Sequence, residues 1–332
     1  MKIFSIILFG LIEFNGVLLA QALESASSFS SSALSQTSGL LVRVRNSKGD
    51  ETEMVLLGKT DKNLRMQVKG STAETAIALN QIVGLEFIMP ANWEQAQQEL
   101  DAGQFEKAAA MMGAGIMPLL DYLDLPNSNA PSLVMKHADL LRYANKLDEA
   151  AVLYNKLRML PEFPQAAQSM MWAAYCLAAQ GKTDEATKIL ATITPFNRDH
   201  ELFGVERLIH ARLHLAKKDY RSTLDEVAQV IAFSRMESDS FPESLFISAE
   251  CYEALGGNAQ ATPESKNQTA AANATDYNKV AQSIYQEIVK NFTNTPWAKK
   301  SQLKVSAISP TTLPAKPSPA STPEAKPKGS KP

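Results

Sequence analysis

Met170-Met171-Trp172-Ala173-Ala174-Tyr175-Cys176-Leu177-Ala178-Ala179-Gln180-Gly181, followed by Lys182-Thr183-Asp184-Glu185-Ala186, is the stretch on which the fold turns. It has the period of a helix, then a glycine, a short spacer and a small side chain. The same order recurs as Gly103-Gln104-Phe105-Glu106-Lys107-Ala108, as Asn145-Lys146-Leu147-Asp148-Glu149-Ala150 and as Lys218-Asp219-Tyr220-Arg221-Ser222-Thr223. Asp276-Tyr277-Asn278-Lys279-Val280-Ala281 reads as a fifth unit after an interruption. The small residues at 108, 150, 186 and 223 are 42, 36 and 37 apart, near the length of a helix pair with its loops. The reason is local. The glycine or polar residue ends one helix in a tight turn, the next apolar residue packs back on that helix, and the small residue lets the second helix approach. Residues 91–305 are therefore expected to form an all-α helical-repeat solenoid.

Upstream, over residues 39–90, the period is two. Leu64, Met66 and Val68 alternate with Arg65, Gln67 and Lys69, and Val42 and Val44 with Arg43 and Arg45, so each run has one apolar face. Ser47-Lys48-Gly49-Asp50 and Thr60-Asp61-Lys62-Asn63 supply turns, and Ile77, Leu79, Ile82, Leu85 and Phe87 continue the apolar pattern. Four or five short strands in this span predict a small all-β barrel, and the chain as a whole is multidomain. At the outer edges, Met1 to Ala22 carries Lys2, an apolar run from Ile3 to Phe9 and Ala20-Gln21-Ala22, the pattern of a cleaved signal peptide. Glu13 and Asn15 interrupt it, and it falls short of a permanent membrane helix. Residues 23–38 hold eight serines in sixteen positions and read as a linker. The segment 256–275, rich in Ala, Asn, Thr and Gln, reads as a disordered insert. Residues 306–332 hold seven prolines and four lysines against Glu324, which predicts an extended tail of charge +3 that a membrane surface or anionic envelope polymer would attract only weakly.

Composition narrows the function classes. With 33 basic and 35 acidic residues the net charge is −2, without the basic footprint of a nucleic-acid binder. Two cysteines make no disulfide framework. Cys176 and Cys251 occupy equivalent places in two repeats, too far apart to bridge, and read as core thiols. His210 and His214 are four apart with Glu206 one turn earlier, so the three could share a helix face and hold a metal. The residue after His210 is Ala211 where a zinc protease needs glutamate, and Arg207 and Arg212 add positive charge, so inter-helix packing is the reading and no metal is expected. No nucleophile elbow, phosphate loop or dinucleotide fingerprint occurs in the sequence, so no catalytic residue and no cofactor are assigned.

On the units quoted above and the parallel Phe246-Ile247-Ser248-Ala249-Glu250-Cys251-Tyr252-Glu253-Ala254-Leu255-Gly256, residues 91–305 resemble tetratricopeptide repeats, with Pro161, Pro195 and Pro296 where that family closes its second helices. Ile284-Tyr285-Gln286-Glu287-Ile288-Val289-Lys290-Asn291-Phe292 with Pro296-Trp297-Ala298 is similar to repeats of bacterial envelope proteins. The strand order of residues 39–90 resembles Sm-like barrels, which bind RNA or form rings. The resemblance to tetratricopeptide repeats implies a concave groove lined by the first helix of each pair. Residue by residue it implies Trp93, Gln97 and Leu100; Met135, Asp139, Arg142 and the adjacent Tyr143; Met171, Tyr175 and Ala178; Leu208, Arg212 and Leu215; and Phe246, Glu250 and Glu253. The expectation is a non-enzymatic scaffold, exported to a bacterial periplasm or secreted, that binds a protein or peptide segment without nucleic acid or membrane insertion. The alternative is a structural protein whose barrel self-associates while the repeats act as spacers.

Overall fold

The computed structural model describes residues 39–90, 92–261 and 268–308, and of 258–261, 268–275 and 308 the backbone alone. The expected signal peptide, the Ser-rich linker and the tail beyond 308 lie outside the described residues. The chain divides into two compact units, one ending at Ile88 and taking in Pro126–Ser128, the other comprising Met89–Leu125 and the chain from Asn129 onward.

In the first unit the two-residue period produces strands β1 (Leu40–Asn46), β2 (Glu51–Lys59), β3 (Asn63–Val68), β4 (Glu74–Ala78) and β5 (Ile82–Phe87). They form one antiparallel sheet in the order β4-β3-β2-β1-β5. Val42 stands opposite both Met54 and Phe87, and Leu56 opposite Met66, so apolar side chains from neighbouring strands meet on one face and are buried there. The other face carries exposed ion pairs: Arg43 with Glu86 at 2.7 Å, Lys69 with Glu53 at 2.9 Å and Arg65 with Glu74 at 3.0 Å. Each contributes little to stability. The first turn forms where expected, with Asn46 Oδ1 accepting from the Lys48 and Asp50 amides and Gly49 at φ 88°. Val68, the last residue of β3, is 44% exposed and does not extend the buried row. Among the described residues β4 and β5 are not paired with each other. The ladder is a five-stranded antiparallel sheet, the small all-β unit of four or five short strands expected of residues 39–90.

The second unit is helical: α1 (Asn92–Asp101), α2 (Phe105–Ile116), α3 (Ala130–Tyr143), α4 (Leu147–Leu157), α5 (Ala166–Ala179), α6 (Thr183–Leu190), α7 (Phe203–Ala216), α8 (Tyr220–Phe233), α9 (Ser240–Ala261), α10 (Gln268–Asn291) and α11 (Pro296–Ile308). The first four helix pairs turn at the residues the sequence marks: Gly103, Asn145, Gly181 and Lys218 have φ of 70°, 60°, 76° and 59°. Each turn closes with the same two bonds. The amide of the turn residue reaches back to the carbonyl three before it, and the next amide reaches the carbonyl five before it, as in Gly181 to Ala178 at 3.0 Å and Lys182 to Leu177 at 2.9 Å. These satisfy carbonyls that the helix end leaves free. The small residues Ala108, Ala150, Ala186 and Thr223 are fully buried, as close helix approach requires.

A left-handed conformation is unstrained for glycine but costs a side-chain-bearing residue about 1 kcal/mol. Lys218→Gly should therefore raise stability by about that amount. The check is a higher urea midpoint with an unchanged denaturant slope.

The last helix pair departs from the sequence reading. Gly256, read as a turn residue, lies buried inside α9, which continues to Ala261. α10 begins at Gln268 and runs straight through Asp276-Tyr277, so the fifth turn is absent there, although Ala281 is fully buried as a packing residue. Much of the expected disordered insert is thus helical. Its alanines favour helix more strongly than its Asn and Thr oppose it. Pro296 opens α11 at its first position, where a missing amide costs nothing.

Candidate functional site

The first helices of the pairs bring together a set of buried charges. On α3, Arg142 is buried and its Nη2 donates to Asp239 at 2.7 Å and to Asp139 at 3.4 Å, while its Nε donates to the Tyr154 hydroxyl at 3.2 Å. The guanidinium lies 3.7 Å from the centre of the Trp172 ring. Tyr154 donates to Asp139 at 2.6 Å, and Tyr143 donates to Asp239. Burial pushes the Asp139 carboxyl up, partly offset by Arg142. One step along, Glu243 on α9 is 1% exposed in its side chain. Arg212 Nε donates to its Oε1 at 2.8 Å, and the Tyr175 hydroxyl lies 2.8 and 2.9 Å from its two oxygens. Burial works against the Arg212 cation, but Glu243 holds it above its ordinary value. Farther along, Glu253 accepts from Tyr285 at 2.9 Å and from Lys304 at 2.6 Å.

The residues proposed from the sequence therefore divide. Asp139, Arg142 and Tyr143 share one network, Tyr175 and Arg212 meet on Glu243, and Glu253 anchors the third group. Phe246 packs against Trp297 and Tyr285, with ring centres 5.2 and 5.5 Å away. Glu250 is half-buried, and burial pushes its carboxyl up against the pull of Arg212. Trp93 is half-buried, and Gln97 is exposed and donates to Asp101 at 3.0 Å; both stand apart from the networks. A wide channel is not what these residues line. Met135, Arg142, Met171, Tyr175 and Phe246 are buried between helices, because the helices close on one another: Arg142 reaches Asp239, 97 residues on. The sequence reading missed Asp239, Glu243, Tyr154 and Trp297. Glu243 had a signal, since it sits 13 residues before Gly256 in the register used to place the other groove positions.

Open space remains beside this core. A cavity of about 250 Å³ is lined by Leu100, Phe105, Tyr143, Met236, Phe292 and Trp297, with Glu237 and Asp239 at its wall. A second, of about 200 Å³, adjoins it through Phe105, Tyr143 and Pro296 and takes in Lys299, Lys300 and Leu303. Met236 and Leu303 are 55% and 69% exposed. Residues 141–205 match the tetratricopeptide repeat family. That span holds α4 to α6 whole and includes the turns at Asn145 and Gly181. Two crystal structures of the nearly identical TPR-like repeats of a Podosopora anserina kinesin light chain are similar to this chain at 17% and 18% identity. They cover 59% and 60% of it and 95% and 96% of their own length, each with a TM-score of 0.36. No curated protein matches the chain.

The other residues singled out in the sequence have structural surroundings in this helical array. Glu206 is buried, accepts from the Phe196 amide at 3.0 Å and pairs with Arg207 at 3.2 Å. Burial and then Arg207 hold the His210 imidazole below its ordinary value. His214 lies 3.6 Å from Asp219. Among the described residues no three of His, Cys, Asp or Glu gather as a metal site would require, and no helix is long and apolar enough to cross a membrane. Cys176 and Cys251 are free and buried, and burial pushes both thiols up to about 12. A thiol held protonated is a poor nucleophile.

Proposed function

We propose that this chain is a non-enzymatic scaffold whose inner face holds a protein or peptide segment, and that it works after export, in a bacterial periplasm or outside the cell. The observation that carries this reading is the pair of adjoining open cavities, walled by aromatic rings and exposed Met236 and Leu303 and bordered by fixed charges. Aromatic and Met surfaces adapt to apolar side chains, and ordered charges set register. The buried ionisable groups of the inner face favour scaffolding over chemistry. Arg142, Arg212 and Glu243 are consumed by one another's partners, which leaves none of them free to move a proton in a substrate.

Two measurements test this. Partners cross-linked in intact cells should be recovered at least tenfold less with Met236→Asp and Leu303→Asp together, since both side chains are exposed and their change leaves folding intact. Equal recovery would remove the groove reading. Mass spectrometry of the exported form should find Leu23 at its amino terminus; a chain that retains Met1 inside the cell would remove the export reading.

The alternative, self-association of the sheet, has one supporting observation. Strand β4 pairs only with β3 among the described residues, whereas β5 has a further bridge from Leu85 to Ser128. A bare strand edge is a template for a second copy. Light scattering of the full chain that stays at one subunit mass at high concentration would exclude it.

A further inference from the structure

We infer that the aromatic cavity between the α1–α2 turn, the end of α3, the segment before α9 and the start of α11 is the docking site of this chain's own Pro/Lys-rich tail, centred on Leu313-Pro314-Ala315-Lys316-Pro317. The inference rests on the scaffold reading and names an occupant for its inner face.

The chemistry of the cavity comes first. Its wall carries four aromatic rings, Phe105, Tyr143, Phe292 and Trp297. Aromatic walls take proline rings, because a proline-rich segment already favours the extended conformation and loses little entropy on docking. At about 250 Å³ the space is below that of a site enclosing a drug-sized molecule and suits one or two side chains of a passing segment. The charged residues lining it are Glu237 and Asp239, while the Lys300 ammonium stands 4.3 Å from the centre of the Trp297 ring, on the side of the adjoining cavity. The Asp239 carboxylate already serves Arg142 and Tyr143, but Glu237 is exposed and available to a cation.

The tail matches on each count. Residues 309–332 hold seven prolines, with Lys316, Lys326, Lys328 and Lys331 against Glu324 alone. Pro314 and Pro317 are spaced as in segments that dock on aromatic grooves, with Lys316 between them. Reach also fits. Trp297 and Ile308 are eleven residues apart on α11, about 16 Å along a helix. The six steps from Ile308 to Pro314 span about 19 Å in an extended proline-type conformation, so a tail that doubles back along α11 brings Pro314 beside Trp297. A tethered segment meets its site at high effective concentration, so a modest contact suffices and an external ligand must displace it.

The test uses the full chain with Met236 replaced by the photo-crosslinker p-benzoylphenylalanine, followed by mass spectrometry after irradiation at dilute protein. The expected result is a cross-link within one chain to a peptide from residues 309–332. It should fall at least fivefold when Pro314→Ala, Pro317→Ala and Lys316→Glu are combined, and it should be absent when the crosslinker replaces Met159, which is 72% exposed and does not line the cavity. Cross-links to the tail only between two chains would overturn the proposal in favour of a second copy. So would the absence of any tail peptide. If another protein were captured at 236 in cells while the tail was not, the tail proposal would fail and the scaffold reading would stand. Unchanged circular dichroism in each variant excludes misfolding as the cause.

Discussion

Glu243→Gln should cost about 3 kcal/mol of stability, read as a lower urea midpoint of the helical signal. The carboxylate is 1% exposed and neutralises Arg212, whose own side chain is 16% exposed. Removing one partner of a buried pair leaves the other charge uncompensated, at roughly 3–5 kcal/mol, and the partial exposure of Arg212 places this case at the lower end. Tyr175→Phe should cost less, about 2 kcal/mol, because it deletes a hydrogen bond to a charge without stranding one. The discriminating variant is the double change Glu243→Leu with Arg212→Met. If the cost lies in the stranded charge, the double variant should recover most of the loss. A double variant as unstable as the single one would show that the pair itself holds α7 to α9.

Acid should destabilise the protein through His137. Its ring is buried, the Nδ1 atom lacks a hydrogen-bond partner, and a Cβ added at Gly113 would sit 3.3 Å from the ring's Cε1. Burial first, and then Lys146, lower the imidazole pKa from 6.5 to about 4. Between these two values the unfolded chain binds the proton and the folded chain does not. Stability is therefore fully present above pH 6.5, falls as the pH drops towards 4, and levels off below that. The loss integrates to roughly 3 kcal/mol. His210 is shifted the same way, whereas Asp139 and Glu250, with raised values, gain stability as they protonate. The difference between the curves for the natural chain and His137→Gln isolates the one group. Curves that stay parallel from pH 7 to 4 would refute it.

The helix pairs were legible because their signals are local. Gly103, Asn145, Gly181 and Lys218 each end a helix by their own backbone conformation, and Ala108, Ala150, Ala186 and Thr223 are small for a reason that holds within one pair. Gly256 misled because a glycine allows a turn without imposing one, and the alanines after it carry the helix on. The inner face was less legible. The register named Arg142, Tyr175 and Arg212, but Asp239 and Glu243 join them through contacts 97, 68 and 31 residues apart, which no local pattern encodes. Whether a groove stands open or is filled depends on superhelical pitch, the sum of many small inter-helix rotations.

The span from Arg142 to Asp239 bears on how the array comes apart. Stacked repeats usually unravel from their ends, each unit leaning only on the next. Here an ion pair ties the second helix pair to the threshold of the fifth, so fraying at one end strains the other. The loop it closes must be formed before the contact stabilises anything, which slows folding. The helices of residues 130–261 should accordingly melt in one transition, not as a procession.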